Sequence, residues 1–195
     1  MLSLPEQSDY TALIIGIDPG SNTLGFSEIY FDVRDMSIIR SVARTFKGAS
    51  MLSPLTSSQS HSDRYCRIFA LANEILKNFV ELEPNFVICE SPFISSRQPM
   101  AYGALMEIVF AVRRAVLDYD NTQPLDTVDP PRAKKAVGAT GNAKKPEMMA
   151  SVLKLKEEFK LDEVTSNSTI ENLDEHSIDA LAIAYFKLQS LRKGE

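Results

Sequence analysis

The chain has 195 residues, 44% of them hydrophobic, and a formal net charge of -5. That length sustains one core and makes a single domain the default, while the acidic balance argues against a protein that coats phosphates indiscriminately. No apolar run reaches the roughly 18 residues of a membrane-spanning helix, and Pro5, Glu6 and Asp9 stand where a secretion signal would need a basic start and an apolar run. Cys66 and Cys89 are too few and too far apart for a disulfide framework. They read as small buried residues in a reducing, cytoplasmic setting.

In chain order, residues 1–11 form a tail. Ala12 to Asp18 is an isoleucine-rich apolar run closed by Pro19-Gly20, which predicts a buried strand and a turn. Leu24 to Val33 and Ile38 to Phe46 predict two more strands. The serine-rich stretch Lys47 to Ser62, with Pro54 inside it, predicts a mobile surface loop. Ile68, Leu71, Ala72, Ile75, Leu76 and Phe79 recur at helical spacing and predict an amphipathic helix over Asp63 to Leu82.

Phe86 to Glu90 follows as a short buried strand. Met100 to Tyr119 is apolar on nearly every face until Arg113, which predicts a helix covered on more than one side, in the core or in a dimer interface. Leu125 to Asp129 reads as a fifth strand, followed by helices over Pro131 to Val137, Pro146 to Lys160 and Glu171 to Leu191, with both prolines suited to first-turn positions. Three strands, a helix, then alternating strands and helices imply an α/β fold, with one domain over residues 12–190 and a tail at 191–195.

Three acidic features stand out. Asp18 ends the first strand in Gly16-Ile17-Asp18-Pro19-Gly20-Ser21, and Glu90 ends the strand Phe86-Val87-Ile88-Cys89. A carboxylate leaving a buried strand requires compensation; either one alone could be a hydrogen-bonded turn former, but two on neighbouring strands suggest a shared cleft. His176 and Asp179, three positions apart, share one face of the last helix, where the first-turn acids could also be simple caps. Together Asp18, Glu90, His176 and Asp179 are suitable ligands for one or two hard divalent cations, magnesium or manganese. A pair of ions about 3.5–4 Å apart can direct water at a phosphodiester without any nucleophilic side chain.

Charge is segregated along the chain. From Pro131 to Lys160 eight basic residues face three acids, whereas Leu161 to Ala180 holds six acids and no lysine or arginine. Metal and phosphate sites require such a division.

These motifs resemble the RuvC family of Holliday junction resolvases. The resemblance runs from about Ala12 to Leu188 through Ile14-Ile15-Gly16-Ile17-Asp18-Pro19-Gly20-Ser21 with Gly25, then Glu90 and Phe93, then Pro131-Arg132-Ala133-Lys134-Lys135 with Thr140-Gly141-Asn142-Ala143-Lys144-Lys145, and finally His176-Ser177-Ile178-Asp179. It implies an RNase H-like fold with a five-stranded mixed sheet, and a homodimer that resolves four-way junctions with magnesium held by Asp18, Glu90, His176 and Asp179. It also implies DNA contacts by Phe93, which would wedge or stack at the junction centre, and by Arg97, Arg132, Lys134, Lys135, Lys144 and Lys145.

His176 stands where some relatives have aspartate, and Lys47 to Ser62 looks longer than the family's connection. A broader branch- or flap-cutting nuclease of the same fold is therefore the alternative. An actin- or Hsp70-type ATPase, whose first phosphate loop also follows a strand with an aspartate and a glycine, needs a far longer chain of two related domains. A DNA-binding module with a degraded site conflicts with four filled metal-site positions.

Overall fold

The computed structural model describes residues 10–52, 61–92 and 99–194, with the backbone alone at 99–101. Five strands form one sheet: β1 (Thr11–Asp18), β2 (Thr23–Asp32), β3 (Ile38–Lys47), β4 (Phe86–Glu90) and β5 (Leu125–Val128), in the order β3-β2-β1-β4-β5. β1, β2 and β3 pair antiparallel, while β4 runs parallel to β1 and β5 parallel to β4. This is the five-stranded mixed sheet that the sequence led us to expect.

Because side chains alternate along a strand, each central strand feeds two cores. Leu13, Ile15, Ile17, Val87 and Cys89 pack under α1 (Asp63–Leu82) and α2 (Pro99–Tyr119). Ala12, Ile14, Ile88 and Val128 point to the other face. There they meet α3 (Pro130–Ala136), α4 (Lys145–Lys154), α5 (Lys156–Phe159) and α7 (Glu175–Arg192); the remaining helix, α6, is the short turn Glu163–Ser166. Both cysteines are free and buried. Among the described residues no helix is long and apolar enough to cross a membrane.

Several elements depart from expectation. The helix predicted over Pro146 to Lys160 breaks at Leu155, which lies between α4 and α5 with φ -100° and ψ 12°. The last helix begins at Glu175 rather than Glu171, because the Asp174 side chain accepts the Ser177 N–H as an N-cap and leaves Ile170–Asn172 as a separate 3-10 turn. The stretch after β3, expected as a loop, begins with a short ordered turn at which Lys47, Ala49 and Ser50 are exposed. Gly48–Met51 is a 3-10 turn, with Gly48 buried against Arg67 and donating to the Asn22 carbonyl; residues 53–60 lie outside the described set.

α2 is covered on one side within the chain, not on several. Ile108, Val109, Val112, Ala115 and Val116 are buried, yet Phe110 is 71% exposed and Met106 and Leu117 are 42% and 51% exposed.

α7 lies unusually close to β1 and β2. A Cβ on Gly25 would stand 2.0 Å from the His176 carbonyl oxygen, and one on Gly16 2.5 Å from that of Ala180. Between them Ser27 Oγ donates to the Ala180 carbonyl at 2.8 Å. We predict that Gly25→Ala, which must push the helix from the sheet, destabilises the fold by at least the ~1–3 kcal/mol typical of overpacking. Urea unfolding measures this, and an unchanged midpoint would show that α7 tolerates displacement.

Candidate active site

The parallel register pairs Ile17 with Cys89, so Asp18 and Glu90 are the next residues along adjacent strands. Ile17 and Cys89 face α1 and α2; the alternation therefore turns both carboxylates toward α7. Across the antiparallel pair, Asp18 lies opposite Gly25, the position over which the His176 backbone passes. Glycine at Gly25 thus decides how near the first turn of α7 comes to Asp18.

That turn is fixed from three directions. His176 Nδ1 donates to Asp18 Oδ2 at 2.8 Å, and its Nε2 is hydrogen-bonded to Thr23 Oγ1 at 2.8 Å. Thr45 Oγ1, on β3, donates to Asp174 Oδ1 at 2.6 Å and lies 2.9 Å from Ser177 Oγ. Asp179, one turn after His176, faces the same carboxylates.

The electrostatics are those of a crowded acidic centre. Burial, then the charges of Asp18 and Asp179, push the Glu90 carboxyl up to about 8. Burial and Asp18 raise Asp179 to about 6, opposed by Lys134 and His176. The hydrogen bond to Asp18 raises the His176 imidazole above its ordinary value. Beneath Glu90 the Cys89 thiol is also driven up, by burial and then Asp18.

Oxygen-rich donors that repel one another, with an imidazole beside them, fit a hard divalent cation. Among the described residues no three of the acidic, histidine or cysteine side chains are grouped so that they could hold one ion. His176 in particular has both ring nitrogens engaged, and would have to release Asp18 or Thr23 to bind metal. Asp18, Glu90, His176 and Asp179 therefore share one electrostatic neighbourhood without forming a closed cage.

The predicted DNA contacts separate. Lys134 donates to the Ala143 carbonyl at 2.9 Å and is the cation beside Glu90 and Asp179, which makes it part of the acidic centre rather than a free surface arm. Lys144 and Lys145 are exposed on a neighbouring cleft, where Lys145 pairs with Glu175. Arg132 and Lys135 line a different hollow with Phe186 and Lys193, and the Arg132 guanidinium lies 4.9 Å over the Phe186 ring. Phe93 and Arg97 lie outside the described residues. Sequence reasoning missed Thr23, whose partner is 153 residues away; a polar residue just after a turn carries no mark of such a bond.

Sheet order, mixed strand directions and acids at the ends of β1 and β4 and on the last helix define the RNase H-like class of fold. Within it, solved resolvases are similar over almost the whole chain. Thermus thermophilus RuvC superposes with a TM-score of 0.65 at 22% identity, covering 93% of this chain and 96% of that one. The yeast mitochondrial Holliday junction resolvase Ydc2 gives 0.61 at 13%, covering 93% and 80%. The fowlpox virus resolvase gives 0.51 at 12%, covering 92% and 98%. No protein-family model and no curated protein matches by sequence, so these likenesses establish the fold.

Glu90 and Asp179 bind protons more tightly folded than unfolded, and so does His176. The stability that this protonation supplies is complete below the unfolded values and is lost as pH rises through the folded ones. In chelator the melting temperature should fall from about pH 4 to about pH 8 and level off above that, and magnesium should raise it more at the alkaline end. Glu90→Gln should flatten the slope. Parallel melting curves with and without magnesium at every pH would exclude a cation from this centre.

Proposed function

We propose that the chain is a metal-dependent endodeoxyribonuclease that resolves four-way DNA junctions. The observation that carries this reading is that Asp18, Glu90, His176 and Asp179 come from three elements onto one side of the sheet at its strand ends. It is supported by the fold shared with the Thermus and fowlpox virus resolvases, both of which have been solved with Holliday junction DNA.

Magnesium or manganese would be held by Asp18, Glu90 and Asp179 drawn together, with His176 joining them on releasing Asp18 or Thr23, and would supply the Lewis acidity for phosphodiester hydrolysis. Asp18 is the hub, because it bonds His176 and its charge raises both other acids. Thr23 holds the imidazole in orientation. Lys134 offsets part of the negative charge from inside the site and so acts on the acids more than on distant phosphates. Lys144 is exposed and placed to hold backbone phosphate near the centre, and Lys145 could join it by exchanging Glu175 for phosphate, while Arg132 and Lys135 would reach a separate stretch of backbone. Phe93 and Arg97 join the DNA contacts by their place in the resemblance.

Asp18→Asn should reduce nicking of a synthetic four-way junction in magnesium by on the order of a hundredfold or more, since it removes the hub of the cation site. Cleavage of four-way, three-way, flap and linear DNA under one magnesium concentration checks the substrate class as well. Full activity in Asp18→Asn, or equal cutting of linear DNA, would reject the proposal.

A four-way junction has approximate two-fold symmetry, which a two-fold homodimer matches with two equivalent centres. Met106, Phe110 and Leu117 form an exposed apolar stripe on α2, suited to a second copy of the chain. Phe110→Glu should convert a dimer in sedimentation at micromolar concentration into a folded monomer. An unmodified chain that sediments as a monomer would refute the interface.

A further inference from the structure

A cleft of about 980 Å³ opens between α4 and the start of α7, immediately beside Asp179. Its lining divides by chemistry. Lys144 and Lys145 stand exposed at one side, Lys145 paired with Glu175 from the acidic start of α7 (Asp174, Glu175 and Asp179), while Met148, Met149, Leu173 and Ile178 supply an apolar floor. The size is at the upper end of the roughly 300–1,000 Å³ usual for small-molecule sites.

Contacts to phosphate do not account for this floor. A nuclease centre that touched only backbone would need cations and hydrogen-bond donors, and water would fill the space between them. The part of a DNA strand with apolar faces is the base. Methionine side chains are unbranched and polarisable and adapt to flat aromatic surfaces, and bases removed from the stack are held between apolar side chains. Met149 is half-buried at the cleft and packs against the core, whereas Met148 is buried within it. Asp179 at one end of the cleft would stand near the scissile phosphate, and the exposed lysines at its side would stand near the next phosphates.

We propose that this cleft receives one unstacked base of the strand being cut, next to the scissile phosphate. The inference rests on the nuclease reading above and adds to it a base-holding pocket formed by α4, Leu173 and Ile178. A junction centre or branch point, where continuous stacking is already interrupted, would fill the pocket at less expense than a continuous duplex, so the pocket favours branched over linear DNA.

The test places 2-aminopurine, one position at a time, on both sides of the cut in a four-way junction and measures fluorescence on binding to the Asp18→Asn protein in magnesium. One position should brighten severalfold and the others should stay flat. Met149→Trp, which fills the cleft, should abolish that signal and, in the otherwise unmodified enzyme, slow cleavage about tenfold, the scale of one lost base contact. Junction affinity should stay within about twofold, since phosphate contacts dominate it. On a junction abasic at that position, Met149→Trp and the unmodified enzyme should cut equally fast.

Uniformly flat fluorescence, or the same slowing on intact and abasic junctions, would overturn the base pocket while leaving the nuclease reading intact. An unmodified enzyme that cuts no branched DNA would overturn both. The fluorescence arm keeps the native cleft, so it decides the question even if Met149→Trp fails to fold.

Discussion

A helix backbone can rest directly on a sheet only where the strands beneath carry no side chain, and Gly16 and Gly25 supply that condition under α7. With the gap closed, the Ala180 carbonyl comes within reach of Ser27 Oγ and the His176 ring drops between Asp18 and Thr23. A larger residue at either glycine would move the helix outward and carry His176 and Asp179 away with it. The acidic centre is therefore a consequence of backbone packing before it is a matter of charge. The Asp174 cap, held by Thr45 on β3, fixes where the helix begins and so which residues occupy its first turn.

Charge then works against packing. Burial and the charge of Asp18 raise the proton affinity of Glu90 and Asp179, and the fold answers with the nearby Lys134, itself anchored to the Ala143 carbonyl. The opposite face handles its buried acid differently. Glu28 is 2% exposed, but it is ion-paired with Arg44 and accepts the Tyr30 hydroxyl at 2.9 Å, and Arg44 extends to Asn78 on α1. Burial and Glu28 together push the Tyr30 hydroxyl far up, which keeps it a proton donor. One acid is satisfied within the protein; the acids under α7 are left with affinity for something positive.

Much of this was legible in the sequence because two periodicities are strong. The run ending at Asp18 and the helix over Asp63–Leu82 emerge from apolar spacing alone, as does the strand Phe86–Glu90. Placing Asp18 and Glu90 at strand ends required only seeing where apolar runs stop. What spacing does not encode is register and distance. The direct bonds of His176 to Asp18 and Thr23 cross more than 150 residues, and Gly25 looks like any strand glycine until the helix above it is known. The break at Leu155 leaves no trace either, since its neighbours Lys154, Lys156 and Glu157 all favour helix. Arg132 and Lys134 are two positions apart in one basic segment, yet a short helix sends them to different clefts.

The two layers over the sheet also divide the surface in a way that matters for assembly. Asp18 and Glu90 turn toward α7, whereas the apolar stripe of α2 lies over the other face with Ile15, Ile17 and Cys89 between. A second copy seated on that stripe would cover side chains that play no part in the acidic centre. The open end of the sheet, where β1 and β4 finish, belongs to neither layer alone, and ligands of open α/β sheets bind at such carboxyl ends. A DNA strand entering there would meet carboxylates first, then the lysines and apolar floor beside α4. The packing that draws α7 inward and the stripe that α2 leaves outward are thus compatible with one another, because each uses a different side of the same five strands.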